Sequence, residues 1–214
     1  MANNLKKFTT EAEYSAATLN YPAVSWVTSG DTVHFDKTAP VPTVNRKVKI
    51  AFTTDSCAQG KEMDIPASAE LMECVDSLTV NGEPIEVTGS EASITLANNT
   101  DYLIEYELKE GVTNVYDWFT FEGLIGLGCQ GESIYYEILF PAQVTDISSL
   151  GEVVYNIILE STTPPSLEYS MSGFDEGDIY VPTGSVDTYK ASTGWSQFAS
   201  QIHPISEYSG DIPV

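Results

Sequence analysis

The clearest pattern in the chain is an alternation from Arg46 to Thr53. Val48, Ile50 and Phe52 fall on one face, Lys47, Lys49 and Ala51 on the other. A period of two predicts a half-buried strand. Ala23 to Val27 and Thr32 to Phe35 read as two further β-type runs, joined by Thr28-Ser29-Gly30-Asp31 into a hairpin. In that hairpin Val24, Trp26, Val33 and Phe35 can share a face. Leu78-Thr79-Val80 and Ile85-Glu86-Val87 flank Asn81-Gly82, the strongest short hairpin signal. Ala92 to Leu96 and Tyr102 to Leu108 follow as strands around Asn98-Asn99. Helical signals are few. Thr10 and Glu13 form a capping box that opens a short helix to about Thr18, and Pro22 closes that region. Ala67 to Val75 holds a helical turn or two.

Beyond Lys109 the texture changes. Short apolar runs recur at Val112–Val115, Phe119–Leu127, Ile134–Phe140, Val144–Ile147, Val153–Leu159 and Ile179–Val181. Their irregular spacing is compatible with degenerate repeats of roughly 20–29 residues, each too small to fold alone. The last stretch, Asp178 to Ile205, is the densest. Ile179-Tyr180-Val181 makes a strand that Pro182 stops, and Gly184-Ser185 offers a turn and an N-cap. Val186, Tyr189, Phe198 and Ile202 then recur at roughly helical spacing, with Gly194-Trp195 as a break. Residues 36–47, DKTAPVPTVNRK, read as an extended linker because of Pro40 and Pro42.

These elements predict a mainly β protein in three parts. Residues 1–45 form an N-terminal attachment arm (short helix plus hairpin) and Pro linker. Residues 46–108 form a small β domain, Ig-like or related. Residues 109–214 form a compact repeat-like β domain with a short C-terminal capping helix.

Two resemblances sharpen the division. Ile179-Tyr180-Val181-Pro182, Tyr189-Lys190, Gly194-Trp195 and Ile202 resemble the closing segment of BspA-type leucine-rich-repeat proteins. Three upstream stretches resemble units of the same family: Glu107 to Thr113, Ile138-Leu139-Phe140-Pro141 with Val144-Thr145-Asp146-Ile147, and Ile158 to Leu167 with its Pro164-Pro165. At the front, Leu5-Lys6-Lys7-Phe8, Tyr14, Tyr21 to Val27 and Val33-His34-Phe35 resemble the opening of virion proteins from tailed phages of gut Bacteroidales, the crAss-like group among them. That second resemblance implies a bacteriophage viral structural protein. Its N-terminal piece would anchor to the capsid and its C-terminal parts would be displayed.

Charge adds a constraint. The chain carries a net −22. Residues 1–61 hold seven basic groups against five acidic ones, and everything acidic in excess lies beyond. An acidic body repels phosphate backbones and anionic lipid, so neither nucleic acid nor a membrane is an expected partner. The mildly basic front suggests docking on an acidic protein surface. The N-terminus has two lysines and no apolar core of a secretory signal. Cys57, Cys74 and Cys129 contain no C-x-x-C pair, and reduced thiols are the default expectation, with a Cys57–Cys74 bridge left open.

Catalytic chemistry is not signalled. His34 and His203 have no Cys or His at ligand spacing, so no metal is expected. No G-x-S-x-G elbow occurs. Gly123, Gly126 and Gly128 read as a tight bend rather than a phosphate cradle. The acidic cluster Asp175, Glu176 and Asp178 reads as a solvated turn. Aromatic residues supply the candidate contacts: Phe8, Tyr14, Tyr21, Trp26 and Phe35 for attachment, and Tyr116, Trp118, Tyr135 and Tyr136 for a binding surface, with Tyr155 and Tyr169 in the same class.

The expectation is therefore a non-enzymatic capsid decoration or head-fibre protein without a cofactor, located on the virion's capsid surface. Its partners would be the major capsid protein or other virion proteins and further copies of itself. The alternative is a tail-associated or cell-surface adhesin-like module that binds host glycan or surface protein through the repeat domain.

Overall fold

The computed structural model describes residues 5–9, 23–27, 32–36, 45–89, 91–115, 119, 124–147, 154–167, 174 and 177–213. The chain falls into two compact units, Met1–Val44 and Asn45–Val214.

In the first unit, β1 (Leu5–Phe8), β2 (Ala23–Val27) and β3 (Thr32–Asp36) form a three-stranded sheet in that order. β2 and β3 are the expected hairpin, in a register that pairs Val24 with Phe35 and Trp26 with Val33. β1 was not expected. It runs parallel to β2, Leu5 opposite Val24. The expected helix from Thr10 lies outside the described residues.

The second unit contains β4 (Lys47–Thr53), β5 (Glu62–Pro66), α1 (Ala69–Cys74), β6 (Val75–Val80), β7 (Glu83–Pro84), β8 (Glu91–Thr95) and β9 (Asp101–Leu108). It continues with β10 (Tyr136–Phe140), β11 (Asp146–Ile147), β12 (Val154–Leu159), β13 (Ser166–Leu167), β14 (Asp178–Val181), α2 (Val186–Ala191) and β15 (Ile202–Pro204). Eight of these strands make one mixed sheet in the order β15-β14-β12-β10-β4-β9-β6-β7. β10, β12, β14 and β15 are parallel neighbours, whereas β4, β9, β6 and β7 are antiparallel. The halves join where β4 pairs antiparallel with β10. Small ladders, β5 with β8 and β11 with β13, lie apart from this sheet.

One row of side chains shows why the sheet is continuous. Ile104, Ile50, Ile138, Ile157, Ile179 and Ile202 are register partners in succession across six strands. All six are buried in one hydrophobic cluster. The sheet and its core thus run across the expected border between residues 108 and 109, within one compact unit. The strong alternation of β4 supplies a central strand that the short parallel strands stack against, so both halves share a core. In the parallel half the chain advances roughly 20 residues per rung.

Other local expectations were altered by pairing. β8 and β9 flank Asn98-Asn99 but belong to different sheets, because β8 takes β5 as its partner. Asn81 and Gly82 both have positive φ, which suits the two-residue turn between β6 and β7. In α1, Ser68 accepts from the Leu71 amide, a side-chain cap. Ser185 does not cap α2 with its side chain; it is itself buried.

The closing segment docks by two polar anchors inside an apolar contact. Trp195 is fully buried, and its indole N–H donates to the Pro165 carbonyl at 2.7 Å. The Tyr189 hydroxyl donates to the Ser161 carbonyl at 2.8 Å. Ile202 is not the end of a helix but the start of edge strand β15.

The cysteines pair differently from the expectation. Cys57 and Cys129 form a disulfide, and Cys74 is free. The bends after β4 and before β10 are neighbours because those strands are neighbours, which brings together two cysteines 72 residues apart. Among the described residues, no helix is long and apolar enough to cross a membrane.

The charge split also changes meaning. Residues 1–44 hold three basic and four acidic groups, so the first unit is not a basic dock. Four of the seven basic groups counted in residues 1–61 belong to the second unit. Arg46 reaches Glu107 at 2.9 Å and Asp76 at 3.3 Å, and Lys47 reaches Glu105 at 3.1 Å. Lys49 donates to the Pro213 carbonyl, and Lys61 to the Leu127 carbonyl.

Candidate functional site

The outer face of the large sheet is divided in two by what covers it. Toward the C-terminal ends of β10 and β12, Leu139 and Ile158 join Ala51 and Ile212 in a small second apolar cluster. The final segment crosses this patch as a strap, with Ile205 and Tyr208 packed against it. Glu137 fastens the strap. Its carboxylate accepts from the Tyr208 hydroxyl at 2.5 Å, the Asp211 amide at 2.9 Å and the Asn156 side chain at 2.5 Å. Desolvation, reinforced by the donation to Glu137, pushes the Tyr208 hydroxyl well above the ordinary tyrosine range.

Beyond the strap the face is open. Here the register between β10 and β12 slips: Tyr136 pairs with Val154, but Glu137 pairs with Asn156. Tyr155 is the extra residue of a β-bulge. Val154 and Ile157 both enter the main core, so Tyr155 and Asn156 leave it together opposite Glu137. Tyr155 stays 48% exposed. Gly177 backs the bulge, since a Cβ there would overlap the Tyr155 carbonyl oxygen. Asn156 stitches the bulge onward by accepting from the Asp178 amide at 3.3 Å.

Tyr135 immediately precedes β10 and is 56% exposed. The rings of Tyr135 and Tyr155 meet edge to face, centroids 6.4 Å apart and planes at 70°. They wall a cleft of about 410 Å³ floored by Ala51 and Thr53 and rimmed by Asp55, Ser133, Glu137 and Asp211. None of its described lining residues is basic.

Asp55 fixes the far rim. Its carboxylate accepts from the amides of Cys57, at 2.8 Å, and Cys129, at 2.5 Å. These two bonds, the Cys57 amide first, hold its pKa below the ordinary aspartate range, with Lys61 assisting. Asp55, Cys57 and Cys129 have ligand-type atoms within 4.8 Å of one another. The sulfurs are bonded to each other and the carboxylate serves the two amides, so the cluster is a structural clamp.

Of the expected surface aromatics, Tyr135 lies on this cleft. Tyr136 does not: it alternates inward, is fully buried, and donates to the Phe119 carbonyl at 3.3 Å. Tyr135 stands just before the strand and Tyr136 opens it, and successive side chains of extended backbone point to opposite faces. Tyr116, Trp118 and Tyr169 lie outside the described residues. Of the attachment candidates, Phe8, Trp26 and Phe35 fall in β1, β2 and β3, and Tyr14 and Tyr21 lie outside the described residues. His203 stands 3.2 Å from Asp178 and 3.8 Å from Glu207 on the edge strand. Asp175 and Glu176 lie outside the described residues.

Glu137, Asp55, Asp211 and Ser133 were not singled out by sequence. A usable signal existed for the bulge: Tyr155-Asn156 places two polar-capable residues in succession inside an apolar run.

Compared with protein-family models, curated proteins and solved structures, the chain matches none of them.

Proposed function

We propose that this chain is a non-enzymatic display protein, a capsid decoration or head-fibre component of a tailed phage. Its first unit attaches to the particle and its second faces outward. The observation that carries this reading is the division at Val44/Asn45. One side holds, among its described residues, a small sheet of three short strands. The other is a body with a large core of its own. The front resemblance to phage virion proteins supplies the identity of the partner, the major capsid protein or a neighbour in the shell. The parallel ladder, roughly 20 residues per rung, supports a BspA-type repeat reading of the C-terminal half. The Cys57–Cys129 disulfide suits an oxidising setting, as on virion or cell surfaces.

Mass spectrometry of purified particles, followed by immunogold labelling, tests this reading. The protein is expected in intact particles with label on the head. Its absence from the particle overturns the proposal. The exposed Tyr135–Tyr155 pair favours a second reading, a tail-associated or cell-surface binding module. Label on tails or on host envelopes is the result that selects it.

A further inference from the structure

We propose that the Tyr135–Tyr155 cleft binds a neutral pyranose residue of a glycan. This inference goes beyond display, and it does not depend on where the chain is anchored.

Exposure comes first. Among the described residues only Ile125, Tyr135 and Tyr155 are large apolar side chains left exposed. The two tyrosines adjoin each other and a cleft, a concentration that marks a binding surface. The cleft's volume is in the range of small-ligand sites.

Rigidity comes second. Tyr155 sits on a bulge held by the Asn156–Glu137 bond and by the close approach of Gly177. Bulges re-aim side chains beside functional sites. A ring fixed by its backbone loses little freedom when a ligand lands on it.

Chemistry decides the ligand class. Two rings at 70° form an angled corner. The electron-rich face of a tyrosine attracts the weakly positive C–H face of a pyranose. Around the corner stand acceptors: Asp55, Glu137, Asp211 and the Ser133 hydroxyl. Sugar hydroxyls donate to carboxylates in charge-assisted bonds. No basic side chain among the described residues lines the cleft, and the chain carries −22, so sialic acids and uronates are repelled. An amine is the rival ligand. Against it, Asp55 and Glu137 already accept two and three hydrogen bonds, which offsets their charge while leaving lone pairs for hydroxyls.

The test uses the full chain with saturation-transfer NMR and calorimetry. The probes are maltotriose, mannotriose and N-acetyllactosamine as neutral ligands, 3′-sialyllactose and trigalacturonate as anions, and choline and spermidine as amines. At least one neutral probe is expected to bind, with transfer concentrated on ring C–H protons. Tyr135→Ala and Tyr155→Ala should each weaken it by about tenfold, the scale of losing one aromatic anchor. Both sites are exposed, so the melting temperature should hold. Tyr135→Phe and Tyr155→Phe keep the ring faces and should retain most affinity, which guards against a misfolded alanine variant. The proposal is overturned if no neutral probe binds, if binding survives the double alanine variant, or if only anions or amines bind. Each of these failures leaves the display reading intact, because that reading is judged on particles.

Discussion

Gly177 and Asp55 each hold one side of the cleft, and each makes a sharp prediction. At Gly177 any side chain meets the Tyr155 carbonyl, which cannot move without undoing the bulge. Gly177→Ala should destabilise by about 1–3 kcal/mol, the usual range for overpacking a tight site. Urea unfolding measures the loss, and the aromatic NMR signals of Tyr155 should shift because its backbone has moved. Asp55 titrates below the ordinary aspartate value of 3.8, chiefly because the Cys57 and then the Cys129 amide favour its carboxylate. A depressed folded value means that the carboxylate contributes stability above the ordinary value and loses it as pH falls through the folded one. The stability gap between the wild type and Asp55→Asn should therefore be full near neutrality and close below about pH 4. Urea midpoints of both proteins across that range check this. A gap that persists at low pH contradicts it.

At the scale of elements, the disulfide and the closing segment stabilise by different means. Cys57–Cys129 spans 72 residues and joins the two bends beside the β4–β10 seam. Closing so long a loop restricts the unfolded chain, so its removal should cost about 2–4 kcal/mol. Thiol titration should find one free thiol in the native chain and three after reduction, and the urea midpoint should fall with reduction or with Cys129→Ser. In the closing segment, Trp195→Phe removes the donor that the buried Pro165 carbonyl uses. Leaving that acceptor unpaired should cost about 1–3 kcal/mol, measured by the same unfolding experiment. These elements differ in how far they could be read from sequence. β4, the Asn81-Gly82 turn and the β14-to-Trp195 segment announce themselves through alternation, turn chemistry and a dense local pattern. The disulfide does not, because its partners are set by which strands become neighbours. The same holds for β8, whose local pattern is sound but whose partner is β5 rather than β9. The cleft was legible only in Tyr135 and Tyr155. Its carboxylates come from three separate stretches, around residues 55, 137 and 211, that converge only after folding.

At the scale of the whole molecule, the decisive question is whether residues 46–108 and 109–214 are two bodies or one. The change of texture at Lys109 is real: antiparallel strands lie before it and a parallel ladder after it. A change of sheet type nonetheless need not end a core. Ile50 has Ile104 on one side and Ile138 on the other, so the row of buried isoleucines runs through the seam without a gap. Cutting at 108 would strip β4 of β10, expose Ile50 and Ile138 along a new edge, and separate Cys57 from Cys129. An edge of unpaired backbone beside buried isoleucine is an aggregation template rather than a domain surface. Residues 46–108 and 109–214 expressed singly should therefore lack a cooperative transition, whereas residues 45–214 should unfold in one step. Circular dichroism in urea distinguishes the cases, and two independent cooperative transitions from the halves would show two domains. Mixing the halves adds a second criterion. With one core, each fragment supplies the strand the other lacks, so native-like structure should appear on mixing, with an amplitude that rises with concentration as a bimolecular association requires.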